Sequence, residues 1–172
     1  MPSTAHTPGV QTTERDQIGL AHALFAEREV LNAPETQAAP PRPVQQIGVI
    51  GGGTMGAGIT VSLLDAGLSV TMIERDDAAL ALGQCRVAQV YDGLIRKGRL
   101  SDEGKAGLLA RLTGATTYDA LKEADLVIEA VFEDMAVKKA VFAELDRVCK
   151  PGSVLATNTS YLDIDEIARS TS

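Results

Sequence analysis

The sequence IGVIGGGTMGAG, residues Ile47–Gly58, decides which fold we expect. It begins with a short apolar run rich in β-branched residues, which is typical of a strand buried on both faces. Glycines then follow with the spacing G-x-G-x-x-G, and the residues after them have helical periodicity. In a strand–turn–helix unit the first glycine permits the tight turn, the second lets the backbone approach a pyrophosphate, and the third lets helix and strand pack closely. These glycines are Gly51, Gly53 and Gly56.

A carboxylate follows at the distance that a dinucleotide site requires. Glu74 ends a second apolar run, Ser69–Ile73, and lies about 20 residues after the last glycine of the motif. A carboxylate at this position accepts a hydrogen bond from the ribose 2′-hydroxyl, while the start of the helix offers free N–H groups to the phosphates. A glycine-rich turn that binds no ligand is the alternative. The combination of strand, glycine motif, helix and acid favours the dinucleotide site.

The composition argues against several classes of protein. A net charge of −7 over 172 residues, without a basic cluster, argues against a nucleic-acid partner. No apolar run approaches the about 18 residues of a membrane span, and we expect no secretory signal because the N-terminus is polar. Cys85 and Cys149 lack the spacing of a metal site, so we expect no bound metal. We expect both cysteines to be reduced, in a cytoplasmic protein.

Two regions are predicted. Residues 1–45 contain a polar segment that we expect to be disordered, a helix that ends near Leu31, and a proline-rich linker. The helix has an apolar stripe that includes Leu24 and Phe25, which predicts that it docks on another surface. Residues 46–172 form the domain that contains the glycine motif.

Strands and helices alternate through residues 46–172, which predicts an α/β fold with a Rossmann-like, doubly wound parallel sheet of about five strands. We expect Ser153–Thr157 to be an edge of that sheet. The helix that begins at Asp134 is predicted to turn Val137 inward and to form an Asp134–Lys138 ion pair. The other expected strands are Ala115–Thr117 and Leu126–Val131, and the expected helices are Thr54–Ala66, Asp76–Gly98, Ser101–Leu112, Asp134–Cys149 and Asp163–Ala168.

Two segments after the glycine motif resemble a known family. The segment EAVFE-x4-K ends at Lys138, and the segment NTS occupies Asn158–Ser160. Together with the glycine motif they are similar to the NAD-binding domain of the L-3-hydroxyacyl-CoA dehydrogenases, over about Gln45–Ser172. The chain resembles most the multifunctional fatty-acid β-oxidation proteins, whose interdomain linker is similar to residues 22–30. The resemblance implies oxidation of (S)-3-hydroxyacyl-CoA to 3-oxoacyl-CoA, with NAD⁺ as hydride acceptor.

The resemblance also implies roles for individual residues. Glu74 holds the adenosine ribose, where its charge favours NAD over NADP, and Ser160 hydrogen-bonds near the substrate's 3-oxygen and the nicotinamide. A helix cap or a turn is the alternative role for Asn158 and Ser160. The implied catalytic residues are Asn158 and Ser160, and the implied cofactor-binding residues are Gly51, Gly53, Thr54, Met55, Gly56, Glu74, Ala130, Val131, Phe132, Glu133, Lys138, Asn158 and Ser160.

Hydride removal from an alcohol also needs a base, usually histidine. The histidines of this chain are His6 and His22, far upstream of the glycine motif. The resemblance implies that the catalytic histidine–glutamate dyad, a sixth strand and a helical domain that dimerises and covers the acyl-CoA lie after Ser172, and that an enoyl-CoA hydratase domain precedes the linker.

Two hypotheses of different class therefore stay open. The chain is either the cofactor module of a dehydrogenase, inactive alone, or a non-catalytic, truncated Rossmann domain that binds NAD(H) or nothing. A different NAD-dependent hydroxyacid dehydrogenase is a third hypothesis, which the EAVFE and NTS segments disfavour.

Overall fold

The computed structural model describes residues 14–33 and 42–172. The chain divides into two compact units, with the boundary between Arg42 and Pro43. The segment predicted to be disordered and most of the predicted proline-rich linker lie outside the described residues. The domain boundary predicted after residue 45 stays a prediction.

Helix α1 occupies Glu14–Leu31 in the described part of the N-terminal unit, and its end agrees with the predicted one. Two residues of its predicted apolar stripe are exposed, Leu24 by 48% and Phe25 by 63%. Exposed apolar side chains on a helix gain free energy when another surface covers them. Docking of α1 on a further surface stays a prediction.

A five-stranded parallel sheet organises the second unit. Its strands are β1 (Gln46–Ile50), β2 (Ser69–Ile73), β3 (Leu112–Ala115), β4 (Leu126–Glu129) and β5 (Val154–Thr157). Their order across the sheet is β3-β2-β1-β4-β5, with β5 at an edge as predicted. The chain builds one side of the sheet first and then crosses to the other, so the switch point lies between β1 and β4. The predicted Rossmann-like, doubly wound fold is confirmed.

Helices connect the strands. The helices of this unit are α2 (Thr54–Asp65), α3 (Asp77–Arg96), α4 (Asp102–Leu109), α5 (Met135–Val148) and α6 (Ile164–Ala168), with a 3₁₀ turn at Tyr118–Leu121. Side-chain oxygens of the residues just before them cap four helices, because they accept the N–H groups that a helix start leaves unpaired. The capping residues are Asp76, Ser101, Asp134 and Asp163. None of the described helices is long and apolar enough to cross a membrane.

Two apolar clusters form the core. Successive residues of a strand point to opposite faces of a sheet, so Val49 and Ile50 belong to different clusters. The first cluster contains Val49, Ala57, Leu64, Val70, Met72, Val87 and Tyr91. The second contains Ile50, Ile73, Leu121, Ala124, Val127, Val141 and Leu145.

The predicted position of the third strand is wrong. β3 spans Leu112–Ala115 instead of Ala115–Thr117, and helix α4 ends three residues before it. Pairing with β2 sets these limits, because the N–H of Val70 donates to the carbonyl of Arg111 at 2.9 Å and the N–H of Glu74 donates to the carbonyl of Ala115 at 3.2 Å. Local sequence could not reveal this register.

The predicted contacts at the start of α5 are also wrong. The Asp134 carboxylate accepts a hydrogen bond from the N–H of Val137 at 3.0 Å and so caps the helix, while Lys138 pairs with other acids. Val137 is 42% exposed instead of inward-facing. The first turn of α5 lies beside a cavity, and Val137 lines that cavity instead of the core.

Candidate functional site

Close backbone contacts build the glycine loop that joins β1 to α2. Gly51 has a φ of +94°, and a Cβ there would lie 2.7 Å from the carbonyl oxygen of Ala130. A Cβ at Gly56 would lie 1.8 Å from the carbonyl oxygen of Gly51. A side chain at either position would force the loop apart. Only glycine lets β1, the loop and α2 pack at these distances.

The middle glycine of the motif has open space beside it. A Cβ at Gly53 would meet no atom of the described residues within 4 Å. Gly53 is also the N-cap of α2 and gives no side-chain hydrogen bond to it, so the first N–H groups of the helix have no capping side chain. A helix start with free N–H groups carries a partial positive charge and suits an anion. The loop therefore has both the space and the donors that a pyrophosphate requires.

The backbone fixes the Glu74 carboxylate beside this loop. Its Oε1 accepts a hydrogen bond from the N–H of Gly52 at 2.7 Å, and its Oε2 accepts one from the N–H of Arg75 at 3.2 Å. The remaining lone pairs can accept from ribose hydroxyls. The Arg75 guanidinium pairs with Asp76 at 3.1 Å, and the structure records no ion pair between it and Glu74. The negative charge at Glu74 thus disfavours a 2′-phosphate.

A cavity of about 620 Å³ lies at the carboxyl ends of the central strands. The glycine loop and Glu74 form one part of its wall, and apolar side chains form another. It lies at the switch point between β1 and β4, where doubly wound sheets bind dinucleotides. Eight residues predicted to bind the cofactor line this cavity: Gly51, Gly53, Thr54, Met55, Glu74, Ala130, Val131 and Phe132.

The segment Asn158–Ser160 directly follows β5. The N–H of Asn158 donates to the carbonyl of Glu129 at 2.9 Å, and the N–H of Ser160 donates to Oε1 of Glu133 at 3.3 Å. Both Asn158 and Ser160 are exposed and do not line the cavity. Of their two alternative roles, the helix cap is wrong, because Asp163 caps α6, while the turn stays open.

Lys138 lies outside the cavity lining, in a buried group of charges. Its Nζ donates to both carboxylate oxygens of Glu129 at 2.8 Å and pairs with Oε2 of Glu133 at 3.1 Å. These contacts engage the ammonium within the protein. The contact between Lys138 and the cofactor stays a prediction.

Glu133 receives hydrogen bonds from two sides. The hydroxyl of Thr159 and then the ammonium of Lys138 hold the pKa of Glu133 below its usual range, because both stabilise the charged form. Glu133 does not line the cavity, but it adjoins Phe132, which does and which is 81% exposed. Glu133 therefore connects the loop after β4 to the loop after β5.

A family comparison identifies the domain. The model of the 3-hydroxyacyl-CoA dehydrogenase NAD-binding domain matches residues 46–172. The chain belongs to this family. It is similar to the peroxisomal bifunctional enzyme of Homo sapiens, with 43% identity over 157 residues, and to the peroxisomal fatty acid beta-oxidation multifunctional protein of Oryza sativa subsp. japonica, with 37% identity over 154 residues. Each alignment covers 88% of this chain but only 21% of the relative, so the chain spans about a fifth of the length of these relatives.

Solved structures agree with this family. The (S)-3-hydroxybutyryl-CoA dehydrogenase of Ralstonia eutropha is 38% identical with a TM-score of 0.73, and the alignment covers 76% of this chain and 46% of that one. The dehydrogenase part of multifunctional enzyme 1 from C. elegans is 31% identical with a TM-score of 0.67, and the alignment covers 74% of this chain and 29% of that one. The predicted resemblance is confirmed.

The residues of this 3-hydroxyacyl-CoA dehydrogenase domain fit NAD. The open side of Gly53 leaves the space that a pyrophosphate needs, and the fixed Glu74 carboxylate keeps lone pairs that could accept from ribose hydroxyls. Gly56, which is also predicted to bind the cofactor, acts by packing against Gly51 and does not line the cavity.

Sequence reasoning missed two residues around this NAD-binding site. Arg86 of α3 donates from Nη1 to the carbonyl of Gly52 at 2.8 Å and so supports the glycine loop. Glu129 is fully buried at the end of β4. An acid within the apolar run LVIEAV was the available signal for Glu129, because acids are almost never fully buried unless paired. No local signal marked Arg86.

Proposed function

We propose that this chain supplies the NAD-binding part of an enzyme that oxidises (S)-3-hydroxyacyl-CoA to 3-oxoacyl-CoA in fatty-acid β-oxidation. The family match and the names of the relatives support this proposal. One observation carries it: the cavity at the switch point combines the open glycine loop with the fixed Glu74 carboxylate.

The domain's own residues bind and orient the cofactor. The start of α2 and Gly53 hold the pyrophosphate, while Glu74 accepts from the adenosine ribose hydroxyls. Val131 and Phe132 provide the apolar wall on which the nicotinamide lies. When bound, NAD⁺ supplies the hydride acceptor of the reaction.

The substrate side of the reaction extends beyond this cavity. Asn158 and Ser160, which follow the neighbouring strand, donate hydrogen bonds near the 3-oxygen of the acyl-CoA. The hydroxyl proton passes to a base when the hydride leaves. Residues 46–172 contain no histidine, so we propose that a histidine from outside this domain acts as the base.

Further domains belong to the same proposal. The relatives are multifunctional proteins of which this chain matches about a fifth. We propose that a helical domain completes the acyl-CoA site and forms a dimer, and that an enoyl-CoA hydratase domain lies on the N-terminal side of α1. The exposed apolar residues of α1 support a contact with such a domain.

The cellular location is also a proposal. Cys85 and Cys149 are free thiols, which suits a reducing compartment such as the cytoplasm. The relatives named above are peroxisomal by name. Cell fractionation with an antibody to this chain separates the cytoplasmic from the peroxisomal location.

A substrate assay tests the proposed activity. The natural gene product that contains this chain is incubated with (S)-3-hydroxybutyryl-CoA and NAD⁺, and NADH is followed by absorbance. We expect NADH formation that Ser160→Ala lowers. A product that binds NADH but forms none with any 3-hydroxyacyl-CoA would instead support the alternative, a non-catalytic Rossmann domain.

A further inference from the structure

Glu129 is a buried junction between three elements. It is the last residue of β4 and is fully buried, and its carboxylate accepts hydrogen bonds from three other residues. Oε1 accepts from the N–H of Val131 at 2.7 Å and from Nζ of Lys138, while Oε2 accepts from the hydroxyl of Thr157 at 2.6 Å and from the same Nζ. The carboxylate therefore ties together the loop after β4, the end of β5 and helix α5.

Lys138 extends this junction to the segment that follows β5. Its Nζ also pairs with Glu133 at 3.1 Å, and Glu133 in turn accepts from the Thr159 hydroxyl and from the N–H of Ser160. Hydrogen bonds and one ion pair, Lys138–Glu133, thus connect Glu129 to Ser160. Val131 and Phe132, on the other branch, line the cofactor cavity. One buried carboxylate supports both loops that border this part of the site.

A purely structural role does not account for a carboxylate at this position. Removing charges from water is costly, and apolar residues of similar volume often replace a buried ion pair without loss of stability. The neighbouring strand positions are filled by Val127 and Ile128, so β4 could also end on an apolar residue. Satisfied polar networks instead hold side chains and loops in one arrangement.

We propose that Glu129 is a positioning residue for the nicotinamide half of the cofactor. It acts through Val131 on the apolar wall and through Lys138 and Glu133 on the Ser160 segment. This inference rests on the proposed function, which places the adenosine half at Glu74 and the nicotinamide half at Val131 and Phe132. Loss of Glu129 then disturbs one half of the site and leaves the other half in place.

Binding of NADH and of ADP-ribose, which lacks the nicotinamide, tests this proposal. Both affinities are measured by calorimetry for the full chain and for Glu129→Gln, which keeps the side-chain volume. We expect at least a tenfold loss of NADH affinity, as is common when residues that orient a site are changed. ADP-ribose affinity is expected to change less than about twofold, which is the readout that general destabilisation would not produce.

Two further variants keep the test decisive. Asp125→Asn is the matched control, because Asp125 also pairs with a lysine, Lys150, but lies at the opposite, amino end of β4. It is expected to lower stability without changing the ratio of the two affinities. If Glu129→Gln does not fold, Thr157→Val removes one hydrogen bond to Glu129 and is expected to lower NADH affinity selectively, by a smaller factor.

The possible results distinguish a failure of the role of Glu129 from a failure of the proposed function. Equal losses of NADH and ADP-ribose affinity, or no loss of either, in the folded variant would overturn the role of Glu129 while the proposed function stands. If the parent chain binds neither ligand, the proposed function fails, and the role of Glu129 fails with it.

Discussion

Oε1 of Glu74 accepts a hydrogen bond from the N–H of Gly52 at 2.7 Å, although the two residues are 22 positions apart. This bond joins the end of β2 to the glycine loop and fixes the carboxylate at the cavity wall. The residue proposed to select the ribose and the loop proposed to bind the phosphates are thus joined directly by a hydrogen bond. The preference for NADH over NADPH can be tested by changing Glu74, and phosphate binding can be tested separately by changing the glycine loop.

Glu74→Gln is expected to reduce the preference for NADH over NADPH. The change retains an oxygen that can accept from Gly52 but removes the charge that strengthens the ribose hydrogen bonds and repels a 2′-phosphate. A hydrogen bond to a charged group contributes about 1.5–3 kcal/mol, so NADH affinity should fall roughly tenfold or more. Fluorescence titration of the parent chain and the variant with NADH and with NADPH measures both affinities. The matched control is Asp77→Asn, an exposed acid of α3 that does not line the cavity; an equal effect there would remove Glu74 from this role.

Gly53→Val is expected to abolish cofactor binding without unfolding the domain. The new side chain meets no atom of the described residues at its Cβ, so it occupies the space of the pyrophosphate instead of the core. Gly58→Ala is the control, since its Cβ also has open space but the residue does not line the cavity. Retained NADH binding in Gly53→Val, measured by calorimetry, would contradict the assigned phosphate site.

Gly56→Ala is expected to destabilise the domain itself. Its Cβ would lie 1.8 Å from the carbonyl oxygen of Gly51, and that atom cannot shift easily because it belongs to the backbone. We expect a loss of about 2 kcal/mol or more in the free energy of unfolding, measured by denaturant titration. An unchanged unfolding midpoint would show that the loop adapts to the added methyl group.

Asp125 predicts a pH dependence of stability. The N–H of Gln46 and the ammonium of Lys150 hold the pKa of Asp125 well below its usual range. A lowered folded-state pKa stabilises the fold at pH values above the unfolded pKa of about 3.9, and this contribution is lost as the pH falls below it. Asp125→Asn should therefore lower the Tm at pH 7, and the Tm difference between the variant and the parent chain should shrink steadily as the pH falls below about 4. A Tm difference that is constant with pH would contradict this linkage.

The edge strand β5 predicts self-association. Val154 and Asn158 donate their N–H groups to β4, so by alternation those of Leu155 and Thr157 point to the free side. Val154 is 47% exposed, and no charge or proline within β5 protects the edge. Val154→Lys should lower the association seen by sedimentation, whereas the same change at Ile164, an exposed apolar residue of α6 and not of β5, should not. Equal effects of both variants would attribute association to charge alone.

The sequence by itself determined the strand–glycine–helix unit, the doubly wound sheet, and two parts of the cavity wall, the glycine loop and Glu74. These features follow from short-range rules: the periodicity of apolar residues, the space that each glycine leaves, and the distance from the motif to Glu74. The starts of three helices followed equally well, because Asp76, Ser101 and Asp163 cap the helix that comes next.

Only the tertiary structure decided which groups meet across the sheet. The pairing of β3 with β2 sets the start of that strand at Leu112. Lys138 pairs with the buried Glu129 in the interior and not with Asp134, which is nearer in the sequence. Arg86 likewise reaches the carbonyl of Gly52 from another helix. Such contacts depend on strand register and on the need to pair each buried charge, and neither is encoded in the spacing of residues along the chain.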